Sequence, residues 1–470
     1  MNNDAAVLSA LLRRDLNSFI MKVFGTVDGR PFLPNWHIEL LADRLTRVYQ
    51  GEIKRLIICL PPRNLKSLAA SVAFPAWVLG HDAAARIVCA SYGNDLSSKL
   101  ARDCRKVMSA PWYLRTFDTR LDPDKSAAAE FETTKGGYRL STSVGGTLTG
   151  RGASIIIIDD PIKPSEALSD VRRDGVNEWF DSTVLSRLDN KRHDAIVIVM
   201  QRVHVDDLVA HVQEKGRWEV LSLPAIADVN ETFTLLDGRT VGRKIGALLH
   251  PEGEPMATLN EWRAGMGTFN FNTQYLQKPV PAAGNMIKRI WFSYYDFPPN
   301  WIQGDRYIQS WDVAITLGDG SDWSVCTTWL QRKKDFYLLD VFRKRLGFPD
   351  LKRAVVQQAE KYHRPVVLIE EVSIGTSLIQ QLRSEGKVHV IGIRPEGSKA
   401  DRMSANSPII EAGSLWLPRS APWLDVYLSE LLAFPSSKND DQVDSTSQAL
   451  SWGNPSRPKA GVLSKGIYRY

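Results

Sequence analysis

The run Ser154–Asp160, SIIIIDD, sets four isoleucines side by side and ends them on two aspartates. It is far shorter than the ~20 apolar residues a membrane-spanning helix needs, and β-branched side chains favour a strand. A strand apolar on both faces must be covered on both, which puts it at the centre of a parallel sheet. Its aspartates then emerge at the carboxyl edge, where open α/β sheets receive ligands. There Asp159 is placed to hold Mg²⁺ through water, and Asp160 to polarise an attacking water. A buried strand capped by a solvated turn would look the same in isolation.

A second stretch, Leu56–Ser67 (LIICLPPRNLKS), bears on that choice. Leu56 to Cys59 read as another buried parallel strand. Leu60 and two prolines stop it, because proline has no N–H to donate. Lys66 and Ser67 open the helix suggested by the apolar periodicity of Leu68–Leu79. Strand, tight loop and Lys-Ser at a helix start form the layout of a phosphate-binding loop. Pro62, Arg63, Asn64 and Leu65 supply backbone around the phosphates, Lys66 reaches the β and γ oxygens, and Ser67 ligates Mg²⁺. The usual glycines are missing, so the loop alone reads equally as a plain basic loop. In this order, the two stretches favour an ATPase.

A length of 470 residues suggests two or three domains, and 43% hydrophobic with 24% charged residues is ordinary for a globular protein. The net charge of +6 allows an anionic partner. Cys59, Cys89, Cys104 and Cys326 have no CxxC spacing, which speaks against a zinc site or a disulfide framework and suits a reducing cytosol. The first 20 residues look like an amphipathic helix rather than a signal peptide. No uncharged apolar run approaches ~18 residues, so no membrane segment is expected.

In chain order, Pro34–His37 precede a helix over Ile38–Tyr49, and Trp36 with His37 would either face an adenine ring or pack a domain edge. Ala85–Tyr92 is a strand and Ser97–Met108 a helix. Trp112–Thr134 looks irregular. Tyr138–Val144 alternates as a strand and enters the Gly-rich loop 145–152, which carries Arg151. That cation would either reach the γ-phosphate of an adjacent subunit, as an arginine finger does, or stay in a local contact. After Pro161–Ser165 a long helix is expected to about Leu188. Asp194–Arg202 is a buried strand whose tip would lie beside Asp159, and Trp218–Leu223 closes the sheet. Strands alternating with helices indicate a mostly parallel, doubly wound sheet. The glycines and prolines of 228–289 read as a linker with a short helix at Leu259–Ala264.

The second half places Asp312 near the end of a strand, Arg306–Ala314. Two strands at hairpin spacing, Asp322–Leu330 and Phe336–Val341, would be its antiparallel neighbours. Leu351–Tyr362 is helical, Pro365–Glu370 is a buried strand ending in Glu370, and a final helix begins within Asn439–Asp444. Asp440 or Asp441 then shares a face with Asp444. Three carboxylate stations, two at strand ends and one at a helix start, are what a two-metal phosphodiesterase needs, with Mg²⁺ or Mn²⁺ held by oxygen ligands. Taken singly, each aspartate also reads as a helix cap or a solvated strand end. Arg343, Lys344 and Arg345, with Lys459, Lys465 and Arg469 of a basic tail, would contact DNA phosphates.

Together these segments resemble the large terminase subunit of tailed bacteriophages. The pieces are PPRNLKS at 61–67, GGTLTGRG at 145–152, IIIIDDP at 155–161, VMQR at 199–202, QYLQKPVP at 274–281, SWDVA at 310–314, LIEEVSIGT at 368–376 and NDDQVDS at 439–445. The resemblance implies an α/β P-loop ATPase domain with a mostly parallel doubly wound sheet (1–227), the linker region (228–289), and an RNase H-like mixed-sheet nuclease domain (290–470). It implies ATP-driven translocation of double-stranded DNA into a procapsid and metal-dependent cutting of concatemers. Lys66 and Ser67 would bind nucleotide and Mg²⁺, Asp159 would be the Walker B acid, and Met200, Gln201 and Arg202 the coupling motif. Asp312, Glu370 and one or more of Asp440, Asp441 and Asp444 would hold metal. A portal protein, a small terminase subunit and a homo-oligomeric ring, a pentamer, would be the partners, in the cytoplasm of a host cell.

Two positions depart from the family pattern. Leu65 stands where a glycine often precedes the lysine, and Asp160 where a glutamate often follows the Walker B aspartate, which makes Glu166 a rival catalytic carboxylate. Readings of another class are a helicase or remodeller with a non-catalytic DNA-binding module, which would need further ordered motifs after Arg202, and a structural portal-docking protein with degenerate sites.

Overall fold

Ile155–Asp159 is a strand buried along its whole length, and its neighbours explain why. In the computed structural model, which describes residues 3–127, 130–146, 148, 150–279, 286–314, 323–372, 374–435, 437 and 439–454, the first sheet has eight strands. In chain order they are β1 (Arg55–Cys59), β2 (Arg86–Ser91), β3 (Leu121–Ser126), β4 (Glu130–Thr133), β5 (Tyr138–Ser143), β6 (Ile155–Asp159), β7 (Ala195–Met200) and β8 (Glu219–Ser222). Across the sheet they run β3-β4-β5-β2-β6-β7-β1-β8. From β5 to β8 every pairing is parallel, whereas β3 and β4 add an antiparallel edge.

Alternation along β6 sends Ile156 and Ile158 into one apolar layer with Trp179 and Phe180. Ile155 and Ile157 join the opposite layer, with Phe19, Leu41 and Phe74. Each fully buried isoleucine contributes roughly 1.5–3 kcal/mol of apolar burial.

Three expectations change here. The stretch expected to be irregular, 112–134, includes most of the helix Pro111–Thr116 and the two edge strands. β3 reads LDPDKS, too polar to show as a strand, and its proline suits an edge. The long helix expected to Leu188 is Asp170–Ser182, between tight turns at Pro164–Glu166 and Val184–Arg187. The first amphipathic segment is two helices, Asn3–Arg14 and Leu16–Val27, and Asp15 caps the second by accepting from the backbone of Asn17 and Ser18.

The region expected as a linker is largely folded. It contains the antiparallel pair β9 (Glu231–Thr234) and β10 (Thr240–Arg243), then the helix Met256–Gln274, broken at Gly267 where φ is 80°. Phe233, Leu235, Val241 and Leu249 pack on the first unit's core; spaced singly in sequence, they leave no apolar run to read. The chain divides into two compact units, Met1–Arg263 with Asn270–Val280, and Ala264–Phe269 with Pro281–Tyr470.

The second unit has a mixed sheet of β11 (Ser293–Tyr295), β12 (Arg306–Asp312), β13 (Ser324–Arg332), β14 (Asp335–Lys344), β15 (Val366–Glu370), β16 (His389–Ile393) and β17 (Leu415–Pro418). Its order is β11-β17-β14-β13-β12-β15-β16. β12, β13 and β14 form an antiparallel meander, and β15 and β16 extend it in parallel. Leu351, Val355, Leu378 and Leu382 of two helices meet Trp311, Val367 and Ile369 of the sheet in one apolar cluster.

All four cysteines are buried and free. Burial raises every one of their thiols, that of Cys59 and that of Cys104 to about 12. Among the described residues, no helix is long and apolar enough to cross a membrane.

Candidate nucleotide and nuclease sites

In the first unit, β1, β6 and β7 bring their carboxyl ends to one edge. Asp159, fully buried at the tip of β6, accepts hydrogen bonds from Ser67 Oγ at 2.9 Å and Ser71 Oγ at 2.6 Å. Burial and the adjacent charge of Asp160 push its carboxyl up to about 6. Lys66, only 6% exposed, sets its Nζ 3.3 Å from Asp160 Oδ2 and 3.4 Å from Gln201 Oε1. Asp160 has a φ of 46°, and its Oδ1 accepts from the Gln201 backbone at 3.3 Å.

The loop between β1 and Lys66 turns through two left-handed residues, Arg63 at φ 65° and Leu65 at φ 59°. These are backbone shapes that glycine adopts freely and a side chain resists. Leu65 packs against the apolar core, which offsets part of that cost. Asn64 donates to Glu254 Oε2 and to the Pro62 carbonyl, both at 3.1 Å. Beyond Ser67 the helix starts with a wide π turn, Leu68–Ala73, and continues as Phe74–His81.

Met200 ends β7 in register with Cys59. Arg202 Nε donates to buried Asp207 at 2.9 and 3.1 Å, and the Arg202 backbone donates to Gln277 at 2.9 Å. Asp207 also caps the helix Leu208–Lys215. Asp207, Glu254 and Ser71 were not singled out from sequence. Ser71 alone had a signal, standing one helical turn after Ser67.

Two further candidates make local ion pairs. Glu166 lies on the turn after Pro164, 3.6 Å from Lys163 and 4.0 Å from Arg172. Arg151 pairs with Glu130 at 2.7 Å and lies over the Tyr138 ring. Trp36 stacks on Phe233 and His37 sits edge-on to His250, a packed domain edge.

In the second unit Trp311 pairs with Ile369, so β12 and β15 deliver Asp312 and Glu370 side by side. Gly375 makes room for that tip: a Cβ there would meet the Glu370 carbonyl oxygen at 2.0 Å. The third station is the start of the helix Asp441–Gly453, held against the sheet by Ser445, whose Oγ donates to the Ser310 carbonyl at 2.7 Å and accepts from the Thr327 backbone at 3.1 Å. Buried Glu430 fixes its first turn by accepting from Gln442 N at 2.7 Å and Nε2 at 2.5 Å.

Asp440 makes no side-chain cap to this helix. It lies 2.7 Å from Lys399 Nζ, which is also 2.7 Å from Asp444 Oδ2. Arg402 reaches Asp444 Oδ1 at 2.6 Å and Glu370 Oε1 at 3.4 Å. Asp312 is raised well above the usual carboxylate range by burial, then by the charge of Asp444, with Asp441 and Glu370 adding to it. Burial likewise lifts Asp441 to about 6 and raises Glu370. Glu371 turns to Arg394 at 2.8 Å. An oxygen-only set of carboxyls that oppose one another's ionisation fits a hard divalent cation, whose charge would relieve that repulsion. Among the described residues, no three acidic, His or Cys side chains yet converge as a ready cage.

Arg343 and Arg345 flank the Trp323 ring, their guanidinium carbons 4.6 and 4.5 Å from its centroid, and Lys344 lies over Phe342. Lys459, Lys465 and Arg469 fall outside the described residues.

Residues 309–452 match the family model of the terminase RNase H-like domain. No curated protein sequence matches the chain. Among solved structures, the large terminase of a thermophilic bacteriophage in complex with ADP aligns with a TM-score of 0.52 at 12% identity, covering 87% of this chain and 98% of that one. The same phage protein in complex with ATP-gamma-S gives the same TM-score, identity and coverage. The chain thus has the fold of a phage large terminase, an N-terminal α/β domain followed by a C-terminal mixed-sheet domain, and residues 309–452 of the latter match the terminase RNase H-like domain model.

Proposed function

We propose that this protein is a DNA-packaging motor and nuclease, using ATP to drive double-stranded DNA into a procapsid and cutting the concatemer with a divalent metal. The observation that carries the reading is the coexistence, on one chain, of two carboxyl-edge sites. One sets Lys66 and Ser67 against Asp159 and Asp160; the other brings Glu370 and Asp444 to one guanidinium, that of Arg402, with Asp312 on the neighbouring strand end, within the matched RNase H-like region. The fold neighbour from the thermophilic phage was solved with ADP and with ATP-gamma-S, which supports nucleotide as the ligand of the first site.

In this reading the first unit is the ATPase and the second the nuclease. The loop Pro62–Leu65 offers backbone to the phosphates, Lys66 reaches the β and γ oxygens, and Ser67 with Asp159 holds Mg²⁺. Asp160, beside Lys66, orients the attacking water, in preference to Glu166. Met200, Gln201 and Arg202 report the state of the γ-phosphate, and Arg151 serves a neighbouring subunit of a ring, proposed to be a pentamer. Asp312, Glu370, Asp440, Asp441 and Asp444 supply ligands for Mg²⁺ or Mn²⁺, which when bound polarises the phosphodiester and the water that attacks it. Arg343, Lys344 and Arg345 hold the DNA backbone, and a portal protein and a small terminase subunit complete the machine in the host cytoplasm.

Incubating the full chain with supercoiled plasmid and Mn²⁺ tests the nuclease, and phosphate release from ATP tests the motor. Relaxation and linearisation that vanish in Asp312→Ala are the expected result. A wild-type protein that cuts nothing under these conditions would remove the nuclease half of the reading.

A further inference from the structure

Two cations sit among the carboxylates of the second unit. Lys399 and Arg402 lie three residues apart in the first turn of the helix Lys399–Glu411 and so share a face. Between them they engage both oxygens of Asp444, Oδ1 of Asp440 and Oε1 of Glu370. Those are the oxygens a divalent ion would need.

The backbone beneath them is fixed. Ser398 and Asp401 close a capping box at the helix start. Asn406 Nδ2 ties the helix to the carbonyl of Ser447 at 3.1 Å and to Ser451 Oγ at 2.7 Å. The side chains themselves are long, and that of Lys399 is 45% exposed. Arg402 is less open, at 18%, but both side chains have enough rotatable bonds for their charges to leave the cluster without moving the helix.

We propose, resting on the nuclease reading above, that Lys399 and Arg402 are resident counter-ions that yield the carboxylate oxygens to the divalent metal and pass to the DNA phosphates. Without DNA they partly neutralise the cluster and oppose metal entry, by occupying ligand atoms and by like-charge repulsion. A phosphodiester gives them another anion to bind: the ammonium as a point charge, the guanidinium as a planar fork. Metal and DNA then favour each other's binding by the same factor. Metal is thereby loaded preferentially on chains that already hold DNA.

Calorimetric titration of Mn²⁺ into the DNA-free full chain, with Lys399→Met, Arg402→Met and Lys399→Arg in parallel, reads the first half. Each methionine variant should bind Mn²⁺ about 5- to 10-fold more tightly than wild type, as expected of coupling between sites in contact, while Lys399→Arg stays near wild type. Duplex affinity in Ca²⁺ against that in EDTA reads the second half. Ca²⁺ should tighten wild-type binding roughly 5-fold and have little effect on the methionine variants. Melting curves select the variants that fold, and either methionine variant alone suffices. Equal or weaker Mn²⁺ binding in a folded variant would overturn the inference. Absence of Mn²⁺ binding in the folded methionine variants and in the wild type with duplex present would overturn the nuclease reading beneath it.

Discussion

Lys66 Nζ lies 3.3 Å from Asp160 Oδ2, so the cation offered to phosphate and the carboxylate offered to water are paired before any nucleotide arrives. On the proposed reading a γ-phosphate would compete with Asp160 for the ammonium, and the released carboxylate would then be free to accept a proton. Lys66→Ala should abolish ATP turnover. Asp160→Asn should slow it by about 100-fold or more, the usual scale of a lost general base, while Glu166→Gln changes it little. Steady-state phosphate release on the three variants checks the ordering; a slow Glu166→Gln beside a normal Asp160→Asn would reverse the roles.

Leu65 holds a left-handed backbone, which costs about 1–3 kcal/mol, and recovers part of it through contact with the core. The two effects oppose each other, so Leu65→Gly should change unfolding free energy by no more than about 1 kcal/mol. Nucleotide affinity should hold or improve, because the glycine reaches the loop shape without strain. Urea unfolding and a fluorescent-nucleotide titration measure both. A loss of binding in a folded variant would mean that the side chain itself is needed.

Gly375 carries no visible chemistry, yet Gly375→Ala should damage the proposed nuclease activity. The added methyl meets the Glu370 carbonyl, so the helix Ile374–Glu385 or the strand tip must shift. A displacement of about 1 Å at a reacting group is enough for roughly a 100-fold loss. Plasmid cleavage should fall on that scale while ATP turnover stays unchanged.

His37 supplies a pH dependence. Burial, with a smaller effect from His250, lowers its pKa from 6.5 to about 3. The unfolded chain therefore takes up a proton that the folded chain refuses, and stability present above pH 6.5 is lost as pH falls toward 3. Between pH 6.5 and about 5 this one group should remove about 2 kcal/mol. His37→Leu should flatten that slope in urea titrations at several pH values. An unchanged slope would mean that His37 protonates freely in the folded chain.

Much of this was legible in the sequence because it rests on two strong signals. Continuous apolar runs mark buried parallel strands, and a carboxylate at the end of such a run sits on the ligand edge. Asp159, Asp312 and Glu370 all stand at such strand ends. The phosphate-loop turn was harder to read, because Arg63 and Leu65 take up backbone shapes that sequence reasoning reserves for glycine. β3 was hidden by its polar residues, and β9 and β10 by apolar residues spaced singly. Lys399 and Arg402 carry no local signal, since nothing nearby in sequence reveals that the helix start meets Glu370 and the Asp440–Asp444 station. Glu430 stayed unseen for the same reason: its partner Gln442 lies on another helix.

The four sealed thiols have a practical consequence. Cys59, Cys89, Cys104 and Cys326 are all buried and held in their protonated form, and the thiolate is the reactive species. A maleimide dye should therefore ignore the native chain. One cysteine placed on the surface of each unit would give a doubly labelled molecule without any native thiol being removed, and energy transfer between the dyes could then follow the two units through a turnover.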